Sequence, residues 1–490
     1  MKSNNNLEDI NGLDPENWEE MRELGHQMID DMISFLKNIH LEPSWKEIPK
    51  DTKAYFKEDL PVEPQNSKKV YQDFKRYILP YHKGNIHPRF FAWVQGSGTL
   101  MGAYSEMLAA VMNPNVTIGE HAAMYVDEQV VKWCKQMLNY PNSSSGILLS
   151  GGSMANITGL TVARNAHSNL IREHGIQKNS KKLVVYCSEE THSCITKAAE
   201  IIGIGNKFVR KIKTNSEYEM DCDKLLEQLL LDIKEGLQPF CIVATTGTVN
   251  TGAIDPLEDI YNICKKYNLW LHIDGAYGAL AKLDSNIAQK LKYIELADSV
   301  AFDLHKWLHV PYELGCLLVK DADNHRSTFA ITPNYLLQTG RGLAGGLDAI
   351  NNYGFELSRS FKALKVWMSL KETGIKKHAQ LISKNNEQAK YLESKILKSN
   401  ELEILAPVTM SIVCFRYFNK KLSMEKINKL NEEIIIQLQE KGIASPSSTI
   451  LNDKYCIRVC IVNHKTKKED LDFLISGVIQ LGSEILKNNF

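Results

Sequence analysis

The chain has 490 residues, of which 43% are hydrophobic and 24% are charged, as in ordinary globular proteins. Lysine and arginine number 58, and so do aspartate and glutamate, so the formal net charge is zero. This balance argues against nucleic acid or an anionic membrane surface as a partner, because both attract a basic surplus. The chain starts without a signal-type apolar segment and contains no apolar run of about 18 residues, so we expect no membrane span. The length predicts two or three domains.

The cysteines and histidines restrict the chemistry further. The ten cysteines include no CxxC pair, and most stand among apolar or mixed residues. This pattern is typical of reduced, partly buried thiols, so we expect a cytoplasmic protein. The histidines lack the spacing of metal ligands, and no metal site is predicted.

The first predicted segment covers residues 1–99 and is helical and extended. The amphipathic pattern over 14–39 predicts a helix, with Asp14 as its cap and Pro15 at the first helical position. The apolar stripe of this helix fits a core-facing side and a side packed on a second subunit equally well. Residues 49–65 contain several prolines and are interpreted as an extended connector.

From residue 100 to 375, short β-branched runs alternate with amphipathic stretches. This alternation predicts an α/β domain that has a mostly parallel sheet with helices on both faces. Ligands of such folds bind at the carboxyl ends of the strands, so the residues that follow each strand matter most. The predicted strands cover residues 181–189, 239–247, 269–278, 297–306 and 313–321.

Residues 376–490 are richer in lysine and glutamate. Helical patterns cover 379–397 and 425–442, and strand patterns cover 410–418 and 455–463. We therefore predict a small C-terminal α+β domain behind the larger one.

Four predicted strand ends carry groups that could bind a ligand or take part in catalysis. The turn at 150–153 exposes backbone N–H groups at a helix start, which suits a phosphate, although many such turns bind nothing. Asp274 closes an apolar strand and either meets a cationic partner or caps a helix. Lys306 interrupts an apolar run, where burial favours a nucleophilic amine and a snorkelling side chain is the alternative. His192 follows another strand, where a structural imidazole is the alternative.

Together these four features supply the parts of a pyridoxal phosphate site. A lysine amine forms an imine with the cofactor aldehyde. A carboxylate keeps the pyridine nitrogen protonated, so that the ring draws electrons from the α-carbon of the substrate. A phosphate cup and a stacking imidazole complete the set, and the combination is a stronger signal than any one part.

The motifs around these residues resemble those of the group II pyridoxal-phosphate-dependent amino-acid decarboxylases, the family of aromatic-L-amino-acid, histidine and glutamate decarboxylases. The resemblance runs from the N-terminal helix to near the C-terminus. It implies a fold-type I, aspartate-aminotransferase-like large domain at 100–375 that binds the cofactor. It also implies a homodimer with the active site at the interface and with segment 1–99 in dimerisation. The most specific motifs are HPRFFAW, SGGSMAN, THS, ATTGTVNTGAIDP, HIDGAYG and ADSVAFDLHKWL.

The resemblance implies a role for each residue at the cofactor. Lys306 looks like the Schiff-base lysine, and Asp274 would pair with the pyridine nitrogen. His192 would stack on the cofactor ring and help hold the substrate. The other residues expected at the cofactor are Ala276 on the opposite ring face, Gly152 and Ser153 at the phosphate, Asp303 and His305 near the phosphate, and Thr248.

A mobile loop with a tyrosine is a further element that the resemblance implies. The segment ITPNYLLQTGRGLAGG matches this loop and places Tyr335 at the tyrosine position. Its role would be to protonate the carbanion carbon after carbon dioxide leaves. Aldehyde-forming members of the family tend to carry phenylalanine there, so Tyr335 favours simple decarboxylation.

The substrate pocket departs from the aromatic-substrate members of the family. Asn85 stands before the HPRFF stretch, whereas Trp93 and Val94 follow it, with Trp93 as one aromatic wall. Thr117 occupies a position where an apolar or aromatic contact is usual, and Ser358 a position that is small in the family. We first expect decarboxylation of an aromatic L-amino acid of the tyrosine, tryptophan or Dopa type to its amine.

Several alternatives stay open at this point. In the first alternative, the substrate is an acidic or other non-aromatic amino acid. An aldehyde-forming oxidative decarboxylase and another carbon–carbon lyase or aminotransferase of the same fold type are the next two. A catalytically inactive dimer that serves as a binding module is the last, and the presence of Lys306, Asp274 and His192 argues against it.

Overall fold

The computed structural model describes residues 12–168, 170–178, 181–331, 333 and 337–489. None of the helices in these ranges is both long and apolar enough to cross a membrane. The α-helices are Trp18–Asn38 (α1), Lys50–Tyr55 (α2), Ser67–Asp73 (α3), Leu100–Met112 (α4), Ala122–Met137 (α5), Gly152–His167 (α6), Leu170–His174 (α7), Cys194–Ile201 (α8), Cys222–Lys234 (α9), Leu257–Tyr267 (α10), Leu304–Trp307 (α11), Ala322–Phe329 (α12), Ala363–Leu397 (α13), Met424–Glu440 (α14) and Lys468–Asn489 (α15).

The strands form one sheet of seven and one of five. They are Phe90–Phe91 (β1), Ser145–Leu149 (β2), Leu183–Ser188 (β3), Val209–Ile212 (β4), Gln238–Thr245 (β5), Trp270–Asp274 (β6), Ser299–Asp303 (β7), Gly315–Val319 (β8), Leu402–Ile404 (β9), Ile412–Tyr417 (β10), Ser445–Leu451 (β11) and Lys454–Cys460 (β12). The order is β2-β8-β7-β6-β5-β3-β4 in the first sheet and β1-β11-β12-β10-β9 in the second.

The seven-stranded sheet confirms the predicted α/β architecture with a mostly parallel sheet. Strands β4, β3, β5, β6 and β7 are parallel, whereas β8 is antiparallel to both β2 and β7. Strands β3 and β7 are buried along their whole length. Strands covered on both faces have near-continuous apolar sequences, which explains why the sequence predicted them well.

The second sheet joins the C-terminal residues to the N-terminal segment. Phe90 and Phe91 pair in parallel with Ser445 and Pro446. The segment predicted to end at residue 99 therefore contributes a strand to the C-terminal part. Helix α13 runs through the predicted boundary at 375 and is interrupted at Gly374, whose φ of 69° is left-handed. Glycine adopts this conformation at low cost because it has no Cβ.

The N-terminal helix begins later than the sequence predicts. Its cap is Asn17 rather than Asp14, because the Asn17 side chain accepts a hydrogen bond of 3.1 Å from the Glu20 N–H. Trp18, at the start of the helix, is 67% exposed. The predicted apolar stripe therefore begins outside the core of its own chain.

Two other local predictions differ from the structure. The connector at 49–65 contains a short helix, α2, in place of a fully extended chain. The strand predicted at 297–306 ends at Asp303, and Lys306 lies in the helical turn α11 that follows. The backbone N–H of Leu304 donates to the Leu314 carbonyl, which fixes the start of this turn.

A substitution in α6 tests the packing of this helix against the sheet. A Cβ at Gly159 would lie 2.7 Å from His272 Cε1 and 3.1 Å from Leu317 Cδ1, so Gly159→Ala forces a shift in a closely packed core. We expect a loss of about 1–3 kcal/mol in the free energy of unfolding, measured by denaturant titration. The control is Gly25→Ala in α1, where no atom lies within 4 Å and helix propensity favours alanine. Equal stability of both variants would contradict the expectation.

Candidate active site

A cavity of about 730 Å³ lies at the carboxyl ends of the parallel strands. This is the edge at which open α/β sheets bind ligands. Its wall holds most of the site residues that the sequence predicts. They are Trp93, Val94, Gly152, Ser153, His192, Asp274, Ala276, Asp303, His305 and Lys306.

Lys306 lies at the centre of this cavity on the turn α11. Its Nζ is 2.8 Å from Asp303 Oδ2. Burial lowers the pKa of Lys306, but the charge and hydrogen bond of Asp303, together with the charge of Asp274, more than offset burial and raise that pKa above its ordinary value. The turn itself is anchored by the buried Trp307, whose Nε1 donates to Asn385 Oδ1 at 3.1 Å. The amine is thus held in place as half of a buried ion pair.

Asp274 ends β6 and is 3% exposed. Burial raises the pKa of this carboxyl, while the Ala276 N–H and the charge of Lys306 oppose the rise. The Ala276 N–H lies 3.2 Å from Asp274 Oδ1. Asp274 is therefore a desolvated carboxylate that gains from a cationic partner in the cavity.

His192 presents its ring to the same cavity from the loop after β3. Its Nδ1 accepts a hydrogen bond of 3.2 Å from the Cys194 N–H, which leaves the proton of the neutral ring on Nε2. Partial burial lowers the pKa of His192, so the ring is neutral near pH 7.

The turn before α6 forms a cradle for a small anionic group. A Cβ at Gly152 would lie 3.0 Å from both the Ala276 Cβ and Asp303 Oδ2, so a side chain there would fill the space. The first N–H groups of α6 point out of the helix end and favour negative charge. Asp303 Oδ1 is buried and finds no hydrogen-bond partner among the described residues. The glycine turn and the helix end therefore fit a phosphate, whereas the unpaired Asp303 oxygen needs a hydrogen-bond donor.

His305 borders the same cradle. Its Nδ1 accepts from the Leu314 N–H at 3.0 Å, and its Nε2 is 3.8 Å from Asp303 Oδ2. The ring of Tyr312 packs on it with a centroid distance of 4.2 Å. The backbone of Leu314, which lies 2.9 Å and 3.0 Å from Nδ1 through its carbonyl and N–H, and the Tyr312 ring thereby hold the His305 ring in place on the cavity wall.

Among the described residues, four predicted site residues do not line this wall, namely Asn85, Thr117, Ser358 and Thr248. Asn85 donates its amide to the Gly96 carbonyl at 2.9 Å. Thr117 is fully buried and its hydroxyl bonds Leu357 O and Asn115 Oδ1, so no surface is left for a substrate. Ser358 is exposed on the surface beside Leu357, away from the cavity.

Thr248 and Tyr335 complete the predicted set. The Thr248 hydroxyl is buried 3.0 Å from the Thr251 hydroxyl, and only its neighbours Gly247 and Val249 line the cavity. Tyr335 lies outside the described residues.

Several wall residues were missed by the sequence reasoning. Asn156 lies on the wall, and its Oδ1 is 2.8 Å from His272 Nε2; its place in the SGGSMAN motif was the available signal. Lys83 and Gln95 also line the cavity. Arg458 reaches the site indirectly, because its Nη1 donates to the Trp93 carbonyl at 2.9 Å. No local pattern marks a residue that acts across such a distance in sequence.

The fold and this site together define a pyridoxal-phosphate-dependent enzyme. Residues 49–418 match the pyridoxal-dependent decarboxylase conserved domain. The chain is 32% identical over 471 residues to an aromatic-L-amino-acid decarboxylase of Bacillus atrophaeus, covering 95% of this chain and 96% of the relative. It is 29% identical over 469 residues to a phenylacetaldehyde synthase of Petunia hybrida, covering 92% and 91%. The crystal structure of Oryza sativa TDC with PLP and tryptamine has a TM-score of 0.89 at 23% identity, covering 97% of this chain and 100% of that one, and shows the shared fold.

The chain belongs to the pyridoxal-dependent decarboxylase family. It is a pyridoxal-phosphate-dependent amino-acid decarboxylase, and its cofactor is pyridoxal phosphate. This agrees with the cradle, the desolvated carboxylate and the lysine that the cavity brings together.

Replacement of Asp303 tests the electrostatics of the lysine. Asp303→Asn keeps the shape but removes the main charge that raises the pKa of Lys306 against burial, so this pKa falls relative to that of the wild type. Only the unprotonated amine combines with an aldehyde. We expect the pH at half-maximal rate of cofactor loading to move to lower pH, measured by the visible absorbance of protein mixed with pyridoxal phosphate.

The control for this experiment is Asp284→Asn. Asp284 is a buried carboxylate that bonds the Asn386 amide at 2.8 Å, outside the cavity wall. Its variant should load with the pH dependence of the wild type. A midpoint that stays or rises in Asp303→Asn would show that the ion pair does not set the state of Lys306.

Proposed function

We propose that this enzyme decarboxylates an aromatic L-amino acid of the tyrosine, tryptophan or Dopa type to the corresponding amine and carbon dioxide. The observation that carries the proposal is the indole of Trp93 on the same wall as Lys306, Asp274 and His192. Aromatic rings bind other rings through large apolar contact and favourable edge or offset packing. The name of the Bacillus atrophaeus relative supports the same substrate class.

The chemistry that bound pyridoxal phosphate supplies is an aldehyde that combines with amines and a ring that accepts electrons from a breaking bond. Lys306 would hold this aldehyde through its amine. Asp274 keeps a proton on the ring nitrogen, where the charge of that proton compensates the buried carboxylate. The Gly152 and Ser153 turn binds the phosphate, and His192 covers one face of the ring.

The remaining contacts complete the proposed arrangement. Ala276 would face the second side of the ring, where its methyl group leaves room for a close approach. Asp303 and His305 would border the phosphate. Thr248 would act on the cofactor through its neighbours Gly247 and Val249, which line the wall. These residues would hold the reacting carbon in one orientation, and fixing the orientation of the reactants lowers the activation barrier.

We propose that Tyr335 returns a proton to the α-carbon after carbon dioxide leaves, with help from His192. The proposal rests on the sequence of the loop, since Tyr335 lies outside the described residues. His192 supports it as a neutral ring whose Nε2–H faces the cavity. An amine is then the product.

A panel assay tests the substrate class directly. Purified enzyme loaded with cofactor is incubated with L-tyrosine, L-tryptophan, L-Dopa, L-glutamate, L-lysine and L-leucine, and carbon dioxide and amine are measured. We expect kcat/KM to be at least about 100-fold higher for one of the aromatic substrates, because a matched pocket discriminates by a few kcal/mol. Activity confined to the acidic or aliphatic members would overturn the aromatic assignment and leave the decarboxylase assignment intact.

Oxidative formation of an aldehyde is the second candidate, because the chain also resembles a phenylacetaldehyde synthase. That reaction consumes dioxygen and releases ammonia and hydrogen peroxide with the aldehyde. A tyrosine that supplies a proton to the α-carbon competes with this route, so the presence of Tyr335 favours the amine.

Tyr335→Phe tests the proton donor. Loss of the phenol should lower amine formation by about 100-fold, since a positioned acid contributes roughly two to four orders of magnitude. Aldehyde, hydrogen peroxide and oxygen uptake should rise together in the variant. The control is Tyr267→Phe, at the end of helix α10 and outside the cavity wall. Unchanged amine output in Tyr335→Phe would remove the proposed role.

We also propose that two copies of the chain form a homodimer that completes the active site. Helix α4 presents a row of exposed apolar side chains, in which Val111 is 82% and Met112 is 59% exposed. Large contiguous apolar surfaces of this kind mark contact sites. Ser358 is exposed away from the cavity of its own chain, and Thr117 and Asn115 anchor the segment around it. These observations support a role for Ser358 in the partner's substrate pocket.

Subunit complementation tests this arrangement. Lys306→Ala removes the amine, and Ser358→Trp blocks the position proposed to face the other subunit, so each variant alone should be inactive. A mixture should regain about a quarter of wild-type activity, because half of the dimers are mixed and each holds one intact site. Light scattering and cofactor absorbance check that each variant is folded. No regain in verified mixed dimers would place Ser358 outside the site.

We propose the cytoplasm as the location of the enzyme. All ten cysteines are free, and nine of them are buried. Free thiols persist in reducing compartments.

A further inference from the structure

Trp93 forms an aromatic platform at the outer part of the cavity, and its backbone is held in one conformation. Its φ of 53° is left-handed, which is unusual for a bulky residue and persists only where the surroundings enforce it. The Trp93 N–H donates to Ser447 Oγ at 3.2 Å, and its carbonyl accepts from Arg458 Nη1 at 2.9 Å. Both partners belong to the second sheet, so the backbone from which the indole projects is fixed from outside the cofactor-binding part.

Lys83 lies over this platform. Its Nζ is 4.7 Å from the centroid of the Trp93 ring, within the range of a cation–π contact. Lys83 lines the cavity together with Gln95. None of the salt bridges among the described residues involves Lys83, so this ammonium group has no carboxylate counterion there. The outer wall thus combines the Lys83 ammonium group, the Trp93 ring and the Gln95 amide.

The two ends of the cavity differ in chemical character. The inner end holds the Lys306–Asp303 ion pair and the desolvated Asp274, which serve the cofactor and the reacting amine. The third carboxylate on the wall is that of Glu313. The backbone of this residue is held by a hydrogen bond of 3.1 Å from Lys365 Nζ to its carbonyl. A substrate whose amine reaches Lys306 has its side chain in the remaining space, where Lys83 and Gln95 offer hydrogen-bond donors.

We propose that Lys83 is a specificity-determining residue that selects a substrate whose side chain ends in an acceptor oxygen. This inference rests on the proposed aromatic decarboxylase function and names its preferred substrate, an aromatic amino acid with a ring hydroxyl. Because Lys83 covers one face of the Trp93 indole, the substrate ring lies beside that indole, and its oxygen accepts a hydrogen bond from the Lys83 ammonium. A hydrogen bond from a charged donor to a neutral acceptor in a partly exposed site is worth about a 10-fold preference in kcat/KM.

The matched substrates for the test are L-tyrosine and L-phenylalanine, which differ by one hydroxyl. The matched variants are Lys83→Met, which keeps an apolar stem over the indole, and Lys83→Arg, which keeps the charge. We expect Lys83→Met to lower kcat/KM for tyrosine about 10-fold, mainly through KM, and to leave the value for phenylalanine within about 2-fold. Lys83→Arg should retain most of the preference. Lys290→Met, at a lysine outside this cavity, is the control.

The outcomes separate the inference from the function on which it rests. Equal losses for tyrosine and phenylalanine in Lys83→Met, or no loss for either, overturn the role of Lys83 and leave aromatic decarboxylation standing. Carbon dioxide from L-glutamate alone, lost about 10-fold in Lys83→Met, would support Lys83 as the oxygen-binding residue, with a carboxylate as the source of the oxygen, and would overturn the aromatic function. Carbon dioxide from L-glutamate alone and unaffected by Lys83→Met would overturn both.

Discussion

The ion pair between Asp303 and Lys306 is the interaction around which the active site is organised. Two opposite charges at 2.8 Å neutralise each other in a place where either charge alone would be costly to bury. The chain places them on the end of β7 and on the turn that follows, so the sheet itself sets their distance. Their carboxylate also reaches the glycine turn before α6, which joins the lysine and the phosphate cradle through a single side chain.

The close approach of backbones at this edge depends on small residues. A Cβ at Gly315 would lie 2.7 Å from the Gly151 backbone, and one at Gly96 would lie 2.0 Å from the His305 carbonyl. Side chains at these positions would push the segments apart and enlarge the cradle. The glycines therefore allow β8, the α6 turn and the N-terminal segment to converge on one lysine.

Much of the fold and the inner part of the site could be predicted from the sequence because both depend on local patterns. Apolar runs marked the buried parallel strands, and Asp274, His192 and Lys306 stand where such runs end. Asn85 and Thr117 could not be placed, since their polar groups bind the Gly96 and Leu357 carbonyls, and these contacts depend on the folding of loops that carry no regular sequence pattern. Arg458 was missed because its contact with the Trp93 carbonyl joins residues far apart in sequence, and Lys83 was missed because a lone lysine before the HPRFF stretch has no pattern that marks its contact with Trp93.

The clamp on Trp93 by Ser447 and Arg458 has an evolutionary consequence. The groups that perform the chemistry belong to the seven-stranded sheet, whereas the groups that position the aromatic platform belong to the five-stranded one. Mutations in the C-terminal strands can therefore tilt or release the indole without disturbing the lysine, the carboxylates or the phosphate turn. Substrate preference can therefore change among descendants of this protein while the reaction stays the same, because the two properties depend on different sheets of one chain.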